Sequence, residues 1–297
     1  MGRSVASAGM KNTDPYGTKA IPSDRPEARY GDEARGPRPA TKERLWGRHV
    51  PGLLRRWAEG LTFYLMLVIF ALLSLAWSLP AALLHRLLPE RWGQPLGRKG
   101  ISNGFRFYLW LMRTTGMLRC DLSALDALRD EGRLVLAPNH PSLLDAVLIV
   151  SRLPRAICIT KPAIWDNPLL GGGARLAGYI RNDSVRPMIR SSAAALAGGQ
   201  QLLIFPEGTR TAHPPLDPIT RSFALIAREA GAPVQTILIE CDSPYLRKGW
   251  PVLRKPALPL RYRLRLGRRF DPDESAATLS RDMEAHLRDS LRSAETP

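Results

Sequence analysis

The sequence predicts an α/β fold: a mixed, mostly parallel sheet covered by helices on both faces, preceded by an N-terminal membrane-docking helix pair. Three observations predict it. Short apolar runs alternate with segments of helical periodicity through the second half of the chain, the pattern of strands and covering helices. Two polar motifs each begin where one of those runs ends, which is where ligand sites of open α/β sheets lie. Upstream, Leu61 to Leu84 contains no charged residue and is long enough to cross roughly 30 Å of hydrocarbon.

Residues 1–52 are rich in Pro, Gly, Arg, Ser and Asp and hold almost no apolar cluster, so they read as a disordered basic tail. The apolar run begins too deep in the chain for a signal peptide, and Pro80 is placed to kink its far end. A buried helix of a soluble domain is the plainer reading of that run. Arg44, Arg48, Arg55 and Arg56 precede it and Arg86, Arg91, Arg98 and Lys99 follow, so flanking charge sets no orientation. A second helix, near Phe105 to Met117, carries Arg106 and Arg113 seven apart on one face, which suits an interfacial helix with its cations toward lipid phosphates. Together the two read as membrane-associated helices over 53–118 that dip into the cytoplasmic leaflet and return; one true span plus a surface helix is the alternative. Strands are expected near 133–137, 155–159, 201–205, 234–240 and 260–266. Helices are expected near 142–152, 168–177, 184–198, 219–230 and 276–293, the last repeating Leu279, Met283, His286, Leu287 and Leu291. Arg261, Arg263 and Arg265 alternate with Tyr262, Leu264 and Leu266, a strand with one cationic face that either borders a groove for phosphorylated substrates or is a solvated edge.

The first motif is Asn139-His140-Pro141-Ser142-Leu143-Leu144-Asp145. Pro141 resists helix before it, and Ser142 is a good N-cap for the apolar helix that follows. His140 then sits in a loop at a strand's carboxyl end and Asp145 in the first turn of the helix. A carboxylate there can bond one imidazole nitrogen and leave the other free to take a proton from a hydroxyl. Ser142-x-x-Asp145 also reads as a capping box that does nothing but satisfy a backbone N–H.

The second motif, Phe205-Pro206-Glu207-Gly208-Thr209-Arg210, follows the apolar run Gln201-Leu202-Leu203-Ile204. Gly208 allows a tight turn, Glu207 and Arg210 are expected to face the crevice together, and a guanidinium there forks well onto phosphate or carboxylate. An ordinary turn with a surface Glu–Arg pair is the alternative. Both motifs follow strands, so they are expected to converge at one end of the sheet.

Other chemistries find less support. There is no Gly-x-Ser-x-Gly elbow to make Ser142 a nucleophile, and Thr209 has the same weakness. Cys120, Cys158 and Cys241 show no metal-ligand spacing and fit a reducing compartment, with Cys158 and Cys241 reading as core residues. His49, His85, His213 and His286 read as surface or structural. No metal, nucleotide or dinucleotide signature is present. The formal net charge of +16 raises nucleic acid as a partner, but the excess is scattered, no nucleic-acid fold signature appears, and anionic membrane lipids account for it equally well.

The ordered pair of motifs, His140 to Asp145 and then Phe205 to Arg210 some sixty residues on, resembles the glycerolipid acyltransferase family. Two weaker blocks support it, Gly178-Tyr179-Ile180-Arg181-Asn182-Asp183 and Ala232-Pro233-Val234-Gln235. The likeness covers roughly 120 to 245 and implies an acyltransferase domain over 119–297. It implies transfer of a fatty acyl group from acyl-CoA or acyl-carrier protein to the free hydroxyl of 1-acyl-glycerol-3-phosphate or another lysophospholipid. Neither a cofactor nor a metal is expected, nor a covalent acyl-enzyme, and the implied setting is the cytoplasmic face of a bacterial inner membrane. Carried over by motif, His140 is the general base, Asp145 orients it, and Arg181, Glu207, Gly208, Thr209 and Arg210 help hold the acceptor. Backbone N–H groups near Ser142 and Leu143 are candidate donors to the reaction's oxyanion. Three departures touch acceptor identity: Arg186 competes with Arg181, Arg221-Ser222-Phe223 replaces a common Lys-x-Gly, and Thr236 stands where proline is common. Acylation of another lyso-lipid or specialised lipid alcohol, a non-catalytic lipid-binding protein of the same fold, and a basic nucleic-acid binder are the rival readings.

Overall fold

The computed structural model describes residues 52–295. The predicted disordered tail lies outside the described residues except for Gly52, as does His49. Two long helices open the described chain, α1 (Gly52–Leu87) and α2 (Glu90–Thr114). Both motifs then lie on an alternating array: β1 (Leu118–Asp121), β2 (Leu134–Pro138), α3 (Leu144–Arg152), β3 (Ala156–Thr160), α4 (Pro162–Trp165), α5 (Gly171–Leu176), β4 (Ile180–Arg181), α6 (Val185–Ala197), β5 (Gln201–Leu203), α7 (Ser222–Ala230), β6 (Val234–Cys241), β7 (Leu260–Phe270) and α8 (Ala276–Glu295).

The seven strands form one sheet in the order β1-β7-β6-β2-β5-β3-β4. Every pair is parallel except β6 with β7, so the sheet is mixed and mostly parallel. β2 occupies the centre and all five of its residues are buried. Its side chains alternate between two cores, as the strand period requires. Leu134 and Leu136 join a core with α1, α2 and α3 through Phe63, Met66, Leu109, Met112 and Leu148. Val135 and Ala137 face the other, built with α6, α7 and α8 through Leu196, Phe223, Ile226, Met283 and Leu287. Helices therefore cover both faces.

The five expected strands and five expected helices of the second half all form, within a few residues of their expected ends. Four elements were not expected. β1 carries Arg119 and Asp121 on an outermost strand, and β4 has only two residues, so neither shows an apolar run. A 3-10 segment at Ser123–Leu128 and the single-turn α4 are too short for periodicity to register.

The helix pair also differs in extent. α1 continues past Pro80 to Leu87, and α2 begins at Glu90 rather than near Phe105. The first half of α2 holds Gly93, Pro95, Gly97, Gly100 and Gly104, a composition that argues against helix on propensity alone. Packing explains it. A Cβ on Gly97 would lie 2.5 Å from the backbone nitrogen of Ala177, and one on Gly100 would strike the Trp77 ring. Opposite, Gly172 lies against Ser78 of α1, and its N–H donates to Ser78 Oγ at 3.0 Å. Glycine is what lets α1, α2 and the segment around α5 touch backbone to backbone.

Candidate active site

β2 ends at Pro138, and the next residue anchors the loop. Asn139 Oδ1 accepts from Ile239 N–H at 2.7 Å, and its Nδ2 donates to Ile239 O at 3.0 Å, tying the loop to β6 on both sides. His140 follows. Its Nδ1 lies 2.9 Å from Asp145 Oδ2, with its side chain 13% exposed and that of Asp145 fully buried. The ring stacks on Phe205 with centroids 3.6 Å apart, which fixes its plane.

Asp145 makes both the contact of a helix cap and the contact to the imidazole. Its Oδ2 accepts from Ser142 N–H at 2.7 Å while Ser142 Oγ accepts from Leu144 N–H at 3.2 Å, a reciprocal cap at the start of α3. The same oxygen holds His140. One carboxylate thus starts the helix and orients the imidazole, leaving Nε2 for chemistry. Burial pushes the Asp145 carboxyl above its ordinary range, and the hydrogen bonds from His140 and Ser142 pull the other way.

The second motif reaches the same place, because β5 lies beside β2 in parallel register. Thr211 N–H donates to His140 O at 2.8 Å, so the two loops are stitched together. The expectation that Glu207 faces the crevice beside Arg210 requires correction. Glu207 is buried: Oε1 accepts from His140 N–H at 2.9 Å and from Thr211 Oγ1 at 3.0 Å, and Oε2 accepts from Asp217 N–H at 3.0 Å. Its acceptor positions are turned inward, and a carboxylate so placed braces the His140 loop. Burial raises its pKa against these bonds. Gly208 has φ +69°, the left-handed turn position expected for it, and its N–H donates to Phe205 O at 2.9 Å. Thr209 is half-buried and its hydroxyl makes no hydrogen bond among the described residues. Arg210 spends one nitrogen, Nη1, on Leu246 O and Arg247 O, both at 2.9 Å.

The candidate oxyanion donors at the start of α3 are also corrected. Ser142 N–H is held by Asp145, and Leu143 N–H donates to Leu246 O at 3.3 Å. Both are committed inside the fold.

Arg181 stands at the carboxyl end of β4, three strand spacings from β2, roughly 14 Å. Its Nε pairs with Asp183 at 2.6 Å and its Nη1 with Asp166 at 3.4 Å. Arg186, the competing cation, is exposed in the first turn of α6. Two features escaped sequence reasoning. Lys161, exposed directly after β3, sits at the same end of the sheet, nearer β2, with no ion pair among the described residues. The rule that found both motifs, polar groups just past a strand, also points to it. The segment after β6 is the other: Ser142 Oγ donates to Tyr245 O at 3.1 Å, and Leu246, at φ +59°, turns its carbonyl toward both Leu143 and Arg210. A non-glycine residue in that conformation is uncommon, and nothing in Leu246 announces it.

A hollow of about 420 Å³ opens beside this loop, lined by Asn139, Pro141, Thr211, Arg247, Arg261 and Arg263. Glu240 and Asp242 also line it, and Arg265, which does not, donates from Nε to Glu240 at 2.6 Å. Two of the other described histidines make hydrogen bonds away from this site. His213 Nδ1 lies 3.0 Å from Asp217, and His286 Nε2 accepts from Arg268 N–H at 3.0 Å.

Residues 119–240 match the family model described as Acyltransferase. The chain is 25% identical over 194 residues to a 1-acyl-sn-glycerol-3-phosphate acyltransferase of Pseudomonas aeruginosa, spanning 63% of this chain and 73% of that protein. It is 30% identical over 137 residues to the protein of that name from Cocos nucifera, covering 44% of each. The crystal structure of the 1-acyl-sn-glycerophosphate (LPA) acyltransferase PlsC from Thermotoga maritima superposes with a TM-score of 0.62 at 19% identity, covering 82% of this chain and 98% of that one; at that identity the likeness concerns the fold. Sequence profile, curated relatives and architecture all point the same way, and residues 119–240 resemble the glycerolipid acyltransferase family.

Proposed function

We propose that the protein moves a fatty acyl group from a thioester, acyl-CoA or acyl-carrier protein, to the free hydroxyl of 1-acyl-glycerol-3-phosphate at a membrane surface, the cytoplasmic face of a bacterial inner membrane. The observation that carries this reading is the 2.9 Å contact of His140 Nδ1 with the buried Asp145 carboxylate. With Nδ1 held, Nε2 takes the acceptor's hydroxyl proton as the oxygen attacks the thioester carbonyl. The tetrahedral intermediate then expels the thiolate, which recovers the proton from the imidazolium. Asp145 stabilises the charged ring between the two steps. Base catalysis of this kind contributes about 10²- to 10⁴-fold. The reaction as written uses no cofactor and no metal, and passes through no acyl-enzyme. His140 and Asp145 act as base and orienting acid; Gly208, Thr209 and Arg210 shape the acceptor side, Glu207 acting through the loop it braces. Lys161, Arg181 and Arg186 supply positive charge along the carboxyl ends of the strands, and Arg261 and Arg263 supply it in the adjoining hollow.

A second reading within the same chemistry, acylation of another lyso-lipid or specialised lipid alcohol, is favoured by one observation: Arg181 is already paired with Asp183 and Asp166. The test is an acceptor-by-donor matrix on the detergent-solubilised protein. Turnover of 1-acyl-glycerol-3-phosphate well above phosphate-free acceptors supports the proposal. Preference for a phosphate-free acceptor replaces it with the second reading, and absence of transfer with every pair leaves only a lipid-binding role.

A further inference from the structure

At the opposite end of α3 from His140 and Asp145 lies a second hollow, of about 200 Å³, between α2 and the helix C-terminus. Lys99, Arg106, Arg129 and Arg152 line it, with Ser102 and Asn103, and no carboxylate does. Of the four cations, only Arg152 has an acidic partner among the described residues, Asp126. Arg152 Nε is buried and makes no hydrogen bond. Like charges gathered around one cavity repel unless an anion enters it. The fold holds them there regardless, because Ser102 Oγ donates to Ser151 O at 3.4 Å and locks α2 to the end of α3.

The surroundings say which anion. Lys99, Asn103 and Arg106 follow one stripe of α2 at helical spacing. Beside that stripe Trp92, Leu96, Phe107 and Trp110 stand exposed, and Phe107 stacks on Trp110 with centroids 5.8 Å apart. Tryptophan and other bulky apolar side chains bordered by lysine and arginine match the level where acyl chains meet headgroups. A free phosphate would need the cations and no such apolar border.

We propose that this hollow binds the phosphate of an anionic membrane lipid, at a site separate from the acceptor site, and so sets how the helix pair seats on the bilayer. The inference rests on the membrane-docking part of the proposed function and is independent of the chemistry at His140. The test uses the full chain in co-sedimentation with phosphatidylcholine vesicles, with and without phosphatidylglycerol. A triple variant, Lys99→Gln with Arg106→Gln and Arg129→Gln, is compared with a control of equal charge loss, Arg190→Gln with Arg228→Gln and Arg281→Gln, on exposed faces of α6, α7 and α8. Basic residues near an anionic surface are worth about fivefold each in partitioning, so the first variant is expected to lose roughly tenfold or more of its preference for phosphatidylglycerol. The control should keep that preference, and binding to pure phosphatidylcholine should not change in either. Thermal midpoints equal to the parent's show that the fold is intact, and single Arg106→Gln gives a smaller loss in the same direction. Equal losses in both triple variants would mean diffuse net charge and overturn the site. Calorimetric binding of inorganic phosphate to the hollow, with vesicle preference unaffected by the triple variant, would make it a free-phosphate site and overturn the lipid assignment. A chain that fails every acyl-transfer assay leaves this result standing.

Discussion

His140 and Asp145 show how a single carboxylate serves two ends, and their substitutions separate them. His140→Ala removes the base, and transfer is expected to fall about 10²- to 10⁴-fold with the thermal midpoint nearly unchanged. Asp145→Ala keeps the imidazole but forfeits the acceptor that Ser142 N–H and His140 Nδ1 share. It should lower both kcat and stability, the latter by about 0.5–2 kcal/mol for a lost cap. Unchanged turnover in either variant, measured with acyl thioester and 1-acyl-glycerol-3-phosphate, removes the base assignment. Asp217 carries the pH prediction. The Ala212 backbone N–H, foremost, and the His213 side chain hold its carboxyl below the ordinary aspartate range. A depressed pKa means the ionised group stabilises the fold above its unfolded pKa, near 3.8, and that this is lost as pH falls through the lower folded value. Asp217→Asn is therefore expected to lower the thermal midpoint at neutral pH, with the gap to the parent closing only below about pH 4. A gap that stays constant down to pH 2 would contradict it. Residue type and spacing alone made the His–Asp pair legible. They misplaced Glu207, because a strand-end carboxylate looks the same in sequence whether it faces a crevice or braces a loop. What decides is the set of N–H groups that the fold turns toward it.

At the scale of elements, the second half of the chain was legible because its strands are fully buried runs and its helices carry one apolar face, periods that survive in any sequence. The helix pair was legible only in part. The first half of α2 was hidden by its glycines, whose reason lies in α1 and α5 and in nothing local. That reason is testable. Gly97→Ala improves helix propensity by roughly 1 kcal/mol, yet a methyl there meets the Ala177 backbone at 2.5 Å. Backbone cannot move aside as a flexible side chain can, so overpacking should win and destabilise by about 1–3 kcal/mol in chemical denaturation. Gly104, on the same helix, has nothing near its would-be Cβ, and Gly104→Ala is expected to be neutral or stabilising. If both substitutions stabilise, α2 does not pack on α5 as described. Loss of that contact would be felt in the site, because Phe63 of α1 packs edge-on against Tyr245, whose carbonyl holds Ser142.

For the whole molecule, one question is why a folded domain leaves a helix with an uncharged run from Leu61 to Leu84 largely uncovered. Only one face of α1 enters the core, through Phe63 and Met66, while Leu65, Leu72 and Leu79 stand exposed along the opposite side. A face this long, with further exposed aromatic side chains on α2, is larger than a soluble monomer ordinarily presents to water. Length and composition admit a span, yet the packed face of α1 is continuous with the sheet's own core, which favours a helix lying along the surface of a bilayer. The triple variant Leu65→Ser with Leu72→Ser and Leu79→Ser tests this. Because those side chains contribute little to the packed core, the thermal midpoint in detergent should hold. Partitioning into neutral vesicles should drop roughly tenfold or more, since burying each leucine is worth about 1.5–3 kcal/mol when complete. Activity should then divide by substrate: transfer to a vesicle-embedded lysophospholipid falls with partitioning, while transfer to a short-chain acceptor dissolved as monomer stays near the parent's. The division matters because the His140–Asp145 pair is built from β2, α3 and the loops around them, none of which depends on those leucines. If monomeric and embedded acceptors lose turnover alike, α1 serves the chemistry directly, and the separation between docking and catalysis argued from its two faces is wrong.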